Sequence, residues 1–356
     1  MARRFEIGAL ELRTLPGIGA VKVEDFVCHP LHRGERIWSE TNCYVDLWIE
    51  LLHLLGVEPI TGLAFTLSTD FDIDQWDFFK FPPEDLRVLY GIEVAEMNLW
   101  KPLLDHVCEQ MDSGRLVTVE VDAWYLPDTA GVSYRVDHTK TTIVPTFVDA
   151  VERSMKYLHN AGLYQLEGED FDGVMRRGPT STPEILVPYV EIVKVPGAVN
   201  GIVSGRDLST PAEIPHSISS KLAREHINRR PRNEPVDRMR QRIDSDLRWL
   251  TGAGIDTFHR YAFGMFRQLG SSSELASSFC DWLAEQEGGS IQGGSSRGAL
   301  VEASGQFMEV AKAAKSLQFQ MSRVAAGRAV DPTVLIASIE TAWQAASRSL
   351  DLWRDC

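Results

Sequence analysis

The sequence predicts an α+β domain followed by an α-helical one, over residues 1–212 and 213–356. Three observations predict it. The stretch from Ser39 to Gly56 is apolar almost all round and reads as a buried helix. Alternating, β-rich runs lie between Leu116 and Asn160. Beyond about Pro215 the pattern is helical almost to the end. The chain has 356 residues, enough for two domains, and its 44% hydrophobic and 24% charged content is that of an ordinary globular protein.

Residues 1 to about 38 read as irregular. The segment Cys28-His29-Pro30-Leu31-His32-Arg33-Gly34-Glu35-Arg36-Ile37-Trp38 is dense in polar groups. It is either a loop that packs Trp38 and exposes its charges, or the mouth of a site on the helix that follows. Cys28, His29 and His32 with Cys43 match no common zinc spacing, so no metal is expected. The helix has Cys43 in its first turn, Thr41 or Asn42 as its cap, and Gly56 and Pro59 as its stop.

Residues 59–82 are rich in Phe, Trp and Asp. Asp72-Ile73-Asp74 has the spacing of a calcium loop without its glycine and final glutamate, and reads as a loop and short helix packing aromatics. Pro82-Pro83 introduces a helix over about 84–90. Another, over about 100–114, carries Leu103, Leu104, Val107, Cys108 and Met111 on one face, which makes Cys108 a core residue. Strands are expected over 116–127, about 134–148 and 154–160. Residues 168–171 read as a turn. A further strand over 184–194 has Pro188 at an edge or bulge, and 197–215 reads as a linker. Helices are expected within 221–248 and over about 255–269, 272–286, 298–325 and 332–353, with a glycine-rich break at 288–296.

The formal net charge of −14 argues against general nucleic-acid binding. The opening Met-Ala-Arg-Arg-Phe has no apolar run behind it, so it is not read as a secretory signal. No stretch has the apolar length of a membrane span, and a cytoplasmic location is the expectation. Five scattered cysteines with no CxxC pair suggest neither a disulfide framework nor a cysteine-rich zinc site.

The chemistry centres on Cys43. In the first turn of a helix, unpaired backbone N–H groups and the helix dipole favour a thiolate and can hold an oxyanion. The plain alternative is a small core cysteine. A thiolate nucleophile needs a base, and His138 is the candidate. With a turn centred near Asp149-Ala150, antiparallel pairing sets residue i opposite 298 − i, so His138 faces Asn160, which would orient the imidazole. His159 competes within a slip of a residue or two. Asp122, on the preceding strand, is a second orienting candidate, whereas Asp137 should point to the other face. In the plain readings His138 is a surface residue and Asn160-Ala161-Gly162 only a turn. Cysteine, histidine, then amide or carboxylate is the order of papain-like cysteine enzymes.

Thr41-Asn42-Cys43, Val121-Asp122-Ala123-Trp124-Tyr125-Leu126-Pro127 and His138-Thr139-Lys140-Thr141-Thr142-Ile143 resemble the N-terminal domain of butirosin-pathway acyltransferases, over about residues 38–170. That domain is itself similar to bacteriocin-processing, papain-like peptidases. Tyr157-Leu158-His159-Asn160-Ala161-Gly162, Glu169-Asp170-Phe171, Phe258-His259-Arg260-Tyr261-Ala262-Phe263 and Arg267-Gln268-Leu269-Gly270 resemble an uncharacterised bacterial family over nearly the whole length. Its members tend to be encoded near carrier-protein amino-acid ligases or peptide synthetases.

The resemblance implies a papain-like domain whose Cys43 helix packs on a small antiparallel sheet. It implies an acyltransferase that moves an aminoacyl group from a carrier protein's phosphopantetheine thioester, through a Cys43 thioester, to an amine or hydroxyl. The alternatives are a cysteine peptidase or amidohydrolase on the same residues and a non-catalytic carrier-protein-binding module. Papain-like peptidases place an oxyanion-hole glutamine several residues before the cysteine. Arg36-Ile37-Trp38-Ser39-Glu40 has none, so Asn42 is the oxyanion candidate. Substrate-lining candidates are His32, Arg33, Arg36, Glu40, Tyr125 and Lys140. Arg229, Arg230 and Arg232, in an arginine-rich stretch over 224–248, are candidates for docking an acidic carrier protein. The plain alternative is a solvated face pairing with Glu225, Glu234, Asp237, Asp244 and Asp246. No bound cofactor, nucleic-acid partner or membrane partner is expected.

Overall fold

The structure is a computed structural model that describes residues 13–14, 18–177, 188–196, 198–199, 202–203, 214–230, 234–287 and 293–356. In chain order its strands are β1 (Arg13–Thr14), β2 (Phe71–Asp72), β3 (Gln75–Trp76), β4 (Glu93–Glu96), β5 (Leu116–Asp122), β6 (Lys140–Asp149), β7 (Ser154–His159), β8 (Gly162–Glu167), β9 (Val190–Lys194), β10 (Ala198–Val199) and β11 (Ile202–Val203). Its α-helices are α1 (Cys43–Leu54), α2 (Pro83–Tyr90), α3 (Leu103–Asp112), α4 (Glu169–Val174), α5 (His216–Arg229), α6 (Pro235–Leu250), α7 (Ile255–Ala262), α8 (Gln268–Gln286), α9 (Gly293–Ala325) and α10 (Thr333–Arg354). The α+β class is as expected. The chain divides into two compact units, one drawn from residues 1–29, 46–57 and 86–212, the other from 30–45, 58–85 and 213–356. Two stretches of the expected front domain, 30–45 and 58–85, thus group with the helices.

The first unit is built on a seven-stranded sheet in the order β4-β9-β5-β6-β7-β8, with β1 added to β6. Val117, Val119 and Val121 of β5 are buried together with Leu103, Leu104, Val107, Cys108 and Met111 of α3, so the apolar stripe read from the sequence is the inner face of α3. Burying each such side chain stabilises by about 1.5–3 kcal/mol. The sequence reading has no counterpart for the strands β1, β4, β8, β10 and β11, and α4 forms where a turn is expected. The strand expected from 134 begins only at Lys140, because residues 123–139 are coiled into turns. Thr129 Oγ1 donates to the carbonyls of Ala123 and Leu126, and the Ala123 N–H closes the loop on the Thr139 carbonyl at 2.8 Å. Of the strand expected over 184–194, residues 184–187 lie outside the described residues, as does most of the expected linker.

The β6–β7 pairs Val144↔Leu158 and Asp149↔Ser154 depart from the expected 298 − i relation by four and five positions. The strands run on to Asp149, and the turn occupies 150–153 instead of centring on 149–150. Asp149 Oδ1 accepts the Val151 and Glu152 N–H groups, and Arg153 takes a left-handed φ of 54°.

In the second unit, α8 lies between α7 and α9 in sequence and carries the longest buried run of its unit among the described residues, from Gln268 to Ser277, with Phe279, Cys280 and Leu283 buried beyond it. The helix expected over 255–269 is interrupted. A single π turn, Phe263–Arg267, separates α7 from α8, so α8 starts at Gln268. The segment with calcium-loop spacing is the β2–β3 hairpin, fixed by Trp76 against Trp343. Among the described residues, no helix is long and apolar enough to cross a membrane.

Candidate functional site

In the first unit, Asp122 ends β5 and caps the turn Ala123–Tyr125, its Oδ1 accepting the Trp124 N–H at 3.0 Å. Its other oxygen, Oδ2, lies 2.6 Å from His138 Nδ1. A carboxylate can only accept here, so Nδ1 carries the proton and Nε2 of the neutral ring is the basic nitrogen. The Trp124 indole stacks on the imidazole, with centroids 4.5 Å apart and planes 9° from parallel. The His138 side chain is 64% exposed, against 24% for Asp122, so the ring is oriented by its carboxylate yet open to solvent. Burial disfavours the charge on Arg176, and the nearby Asp122 favours it.

The ladder that matters is β5–β6. Its pairs Val121↔Thr141 and Asp122↔Lys140, continued past the strand ends, bring Trp124 opposite His138. Asn160 is elsewhere. It takes a left-handed φ of 46° in the two-residue turn closing β7–β8, where His159 pairs with Gly162. His138 therefore donates to Asp122, the second candidate, and not to Asn160. His159, the register competitor, is buried: its Nδ1 meets Asp128 Oδ2 at 2.5 Å and its Nε2 meets Thr141 Oγ1 at 2.7 Å. Tyr157 donates to the other Asp128 oxygen, and burial together with that carboxylate pushes its pKa well above the ordinary tyrosine range.

In the second unit, Asn42 caps α1. Its Oδ1 accepts the N–H groups of Tyr44 (3.2 Å) and Val45 (2.9 Å), and Cys43 is the first helical residue, half-buried. The Asn42 amide is fully buried and donates to the Phe79 carbonyl at 3.0 Å and to Gln268 Oε1 at 3.4 Å. Its polar atoms thus go into the cap and the core, and the cap takes the N–H groups of Tyr44 and Val45, so what the first turn offers an anion at Cys43 is the positive end of the helix dipole.

The segment leading to Cys43 is pinned along α8. The buried Glu274 carboxylate accepts the Ile37 and Trp38 N–H groups, each at 2.9 Å, and pairs with Arg36 at 3.5 Å. Trp38 is buried where Gly270 leaves room, since a Cβ there would overlap the indole. Arg267 donates to the Thr41 carbonyl at 2.7 Å and pairs with Glu40 at 2.8 Å. Residues 267, 270 and 274 are spaced at helical intervals, so one face holds the whole approach to the cysteine.

The remaining candidates scatter. Arg36 bonds the Leu31 carbonyl as well as Glu274 and is structural; His32 is half-buried in a short turn and Arg33 is exposed. Tyr125 packs on Gly173, and Lys140 pairs with Glu120 at 2.6 Å. Arg229 is exposed, with Nε on the Glu225 carbonyl. Arg230 is paired with Asp351 and lines a cavity of about 440 Å³ with Asn228, Glu234, Trp343, Ser347 and Arg354; burial lowers its pKa. Arg232 lies outside the described residues. Arg240 and Arg242 pair with Asp237 and Asp246 on their own helix, as the plain reading has it.

The sequence assigns no role to Trp124, Gln268, Gly270 or Glu274, although the first three fall within the motifs that carry the resemblances. The β5–β6 register could have found Trp124; the α8 residues carry no local signal, being 226 or more positions from the groups they touch.

Two family models match the chain. The DUF1839 N-terminal domain covers residues 27–195 and the DUF1839 C-terminal domain covers residues 214–352. No curated protein matches.

Proposed function

Since the chain belongs to the two-domain DUF1839 family, we propose that its members with these residues are cysteine-dependent acyltransferases. In this reading Cys43 is the nucleophile and His138 the general base, oriented by Asp122. The donor is an aminoacyl thioester on the phosphopantetheine arm of a carrier protein, and the acceptor an amine or hydroxyl. The observation that carries the reading is the 2.6 Å His138–Asp122 bond on an exposed ring, which fixes the tautomer with its basic nitrogen outward. The position of Cys43 as the first residue of α1 supports the other half, because the positive end of the helix dipole favours a thiolate. Thioester exchange onto such a thiolate is close to isoenergetic, and the acyl group stays activated for the second step.

The test is intact-mass analysis of the protein mixed with an aminoacylated carrier protein. An aminoacyl adduct that is lost in Cys43→Ala, and discharged by an added amine, is the expected result. Hydrolysis of peptides without an adduct would point to a hydrolase, and carrier binding that survives Cys43→Ala with no adduct from the wild type would point to a binding module. Either would overturn the reading.

A further inference from the structure

Gln268, the first residue of α8, is 1% exposed, and its Nε2 is buried with no hydrogen-bond partner. Buried amide N–H groups are ordinarily satisfied, and one left unpaired needs a reason. The orientation of this amide follows from its neighbours. The cap requires Asn42 to turn Oδ1 toward the N–H groups of Tyr44 and Val45. That directs Asn42 Nδ2 outward, onto the Phe79 carbonyl and Gln268 Oε1. A flipped Gln268 would set donor against donor, so Oε1 faces Asn42, the residue that caps the cysteine helix, and the NH2 is the group left over. The π turn immediately before Gln268, a feature that recurs at functional sites, sets where α8 begins.

We propose that Gln268 Nε2 is the side-chain donor for the acyl oxygen on Cys43, so that the C-terminal domain completes the cysteine site. The proposal rests on Cys43 being an acyl-accepting nucleophile. As the thiolate forms the S–C bond, the carbonyl π electrons move to oxygen. That oxyanion is held by Nε2 at the positive end of the helix dipole, then collapses. The bond from carbon to the leaving group breaks, and the leaving thiolate takes the proton that Cys43 gave up. A donor aimed at developing charge typically contributes about 10²–10³ in rate.

The test compares two reagents on full-length wild type, Gln268→Leu and Gln268→Glu. p-Nitrophenyl acetate acylates a thiolate through an oxyanion; iodoacetamide alkylates it without one. Acetylation at Cys43, located by peptide mass analysis, should fall about 10²-fold or more in both variants, while iodoacetamide alkylation of Gln268→Leu, which adds no charge beside the thiolate, stays within about twofold. The melting temperature of Gln268→Leu should hold, because the variant removes the unsatisfied Nε2 together with the long Oε1 contact, and Asn42 Nδ2 keeps the Phe79 carbonyl. Equal slowing by both reagents would show that Gln268 only shapes the helix. Unchanged acetylation, or a wild type that p-nitrophenyl acetate does not acylate at Cys43, would also overturn the proposal. Neither reagent uses a carrier protein, so failure of carrier-dependent transfer is read separately.

Discussion

Two histidine–aspartate couples belong to the same sheeted unit and differ in what the second ring nitrogen meets. His159 is closed at both nitrogens, by Asp128 at 2.5 Å and Thr141 at 2.7 Å, with its side chain 2% exposed. His138 has its carboxylate at 2.6 Å but is 64% exposed, stacked on one face by Trp124. The chemistry of the two pairs is the same and their uses diverge. A ring held at both nitrogens can neither take nor give a proton without breaking a buried bond, so the His159 couple stabilises the fold. A ring held at Nδ1 alone is positioned and still available at Nε2, which general base catalysis requires.

The largest effect that sharpens this contrast is on stability. Asp128→Ala leaves Tyr157 and His159 without their buried acceptor and should cost about 3–5 kcal/mol in chemical denaturation. The folded fraction should keep its Cys43 acylation rate. A loss below about 1 kcal/mol would break the assignment of the buried couple to the fold.

On the exposed couple the expectation reverses. Asp122→Asn should slow acylation from a loaded carrier by about 10²–10⁴, because the wrong tautomer is then favoured, with little change in melting temperature. A protein that unfolds instead would place Asp122 with Asp128 as a structural group.

Gly173→Ala probes the support beneath Tyr125, next in sequence to Trp124. A methyl group there overlaps the Tyr125 ring and should cost about 1–3 kcal/mol. A stability equal to wild type, by thermal denaturation, would show that Tyr125 moves freely.

The smallest effect concerns His106, buried and accepting the Trp100 N–H at 3.2 Å. Burial, then the charge of Lys101, holds its pKa below the ordinary histidine value of 6.5. Its neutral form therefore adds stability that is complete above that value and is lost as pH falls through the lower folded one. The melting temperature of the wild type should fall more between about pH 7 and pH 5 than that of His106→Gln; equal slopes would contradict it.

Local signals in the sequence were read accurately where one element decides the outcome. The α1 helix with Cys43 in its first turn, the inner face of α3 and the burial of Cys108 are of this kind. The partner of His138 was harder, because it depends on which of two ladders continues past its strand. A hairpin turn assigned two residues early moved the expected β6 partners by four or five positions, and Asn160 rather than Asp122 came first. Trp124 had the same origin. Gln268, Gly270 and Glu274 were out of reach for another reason. Their roles come from long-range packing of α8 on residues 36–42, and their own neighbourhood reads only as helix. The arginines over 224–248 show the converse. As a cluster they suggest a docking surface, yet Arg230, Arg238, Arg240 and Arg242 are each paired with an aspartate.

The most direct measurement is the Cys43 acylation rate from an aminoacylated carrier protein, taken side by side for wild type, His138→Ala and His159→Gln, each confirmed folded. The account predicts that His138→Ala loses about 10²–10⁴ in rate and that His159→Gln stays near wild type. Acylation of His138→Ala at the wild-type rate would contradict it.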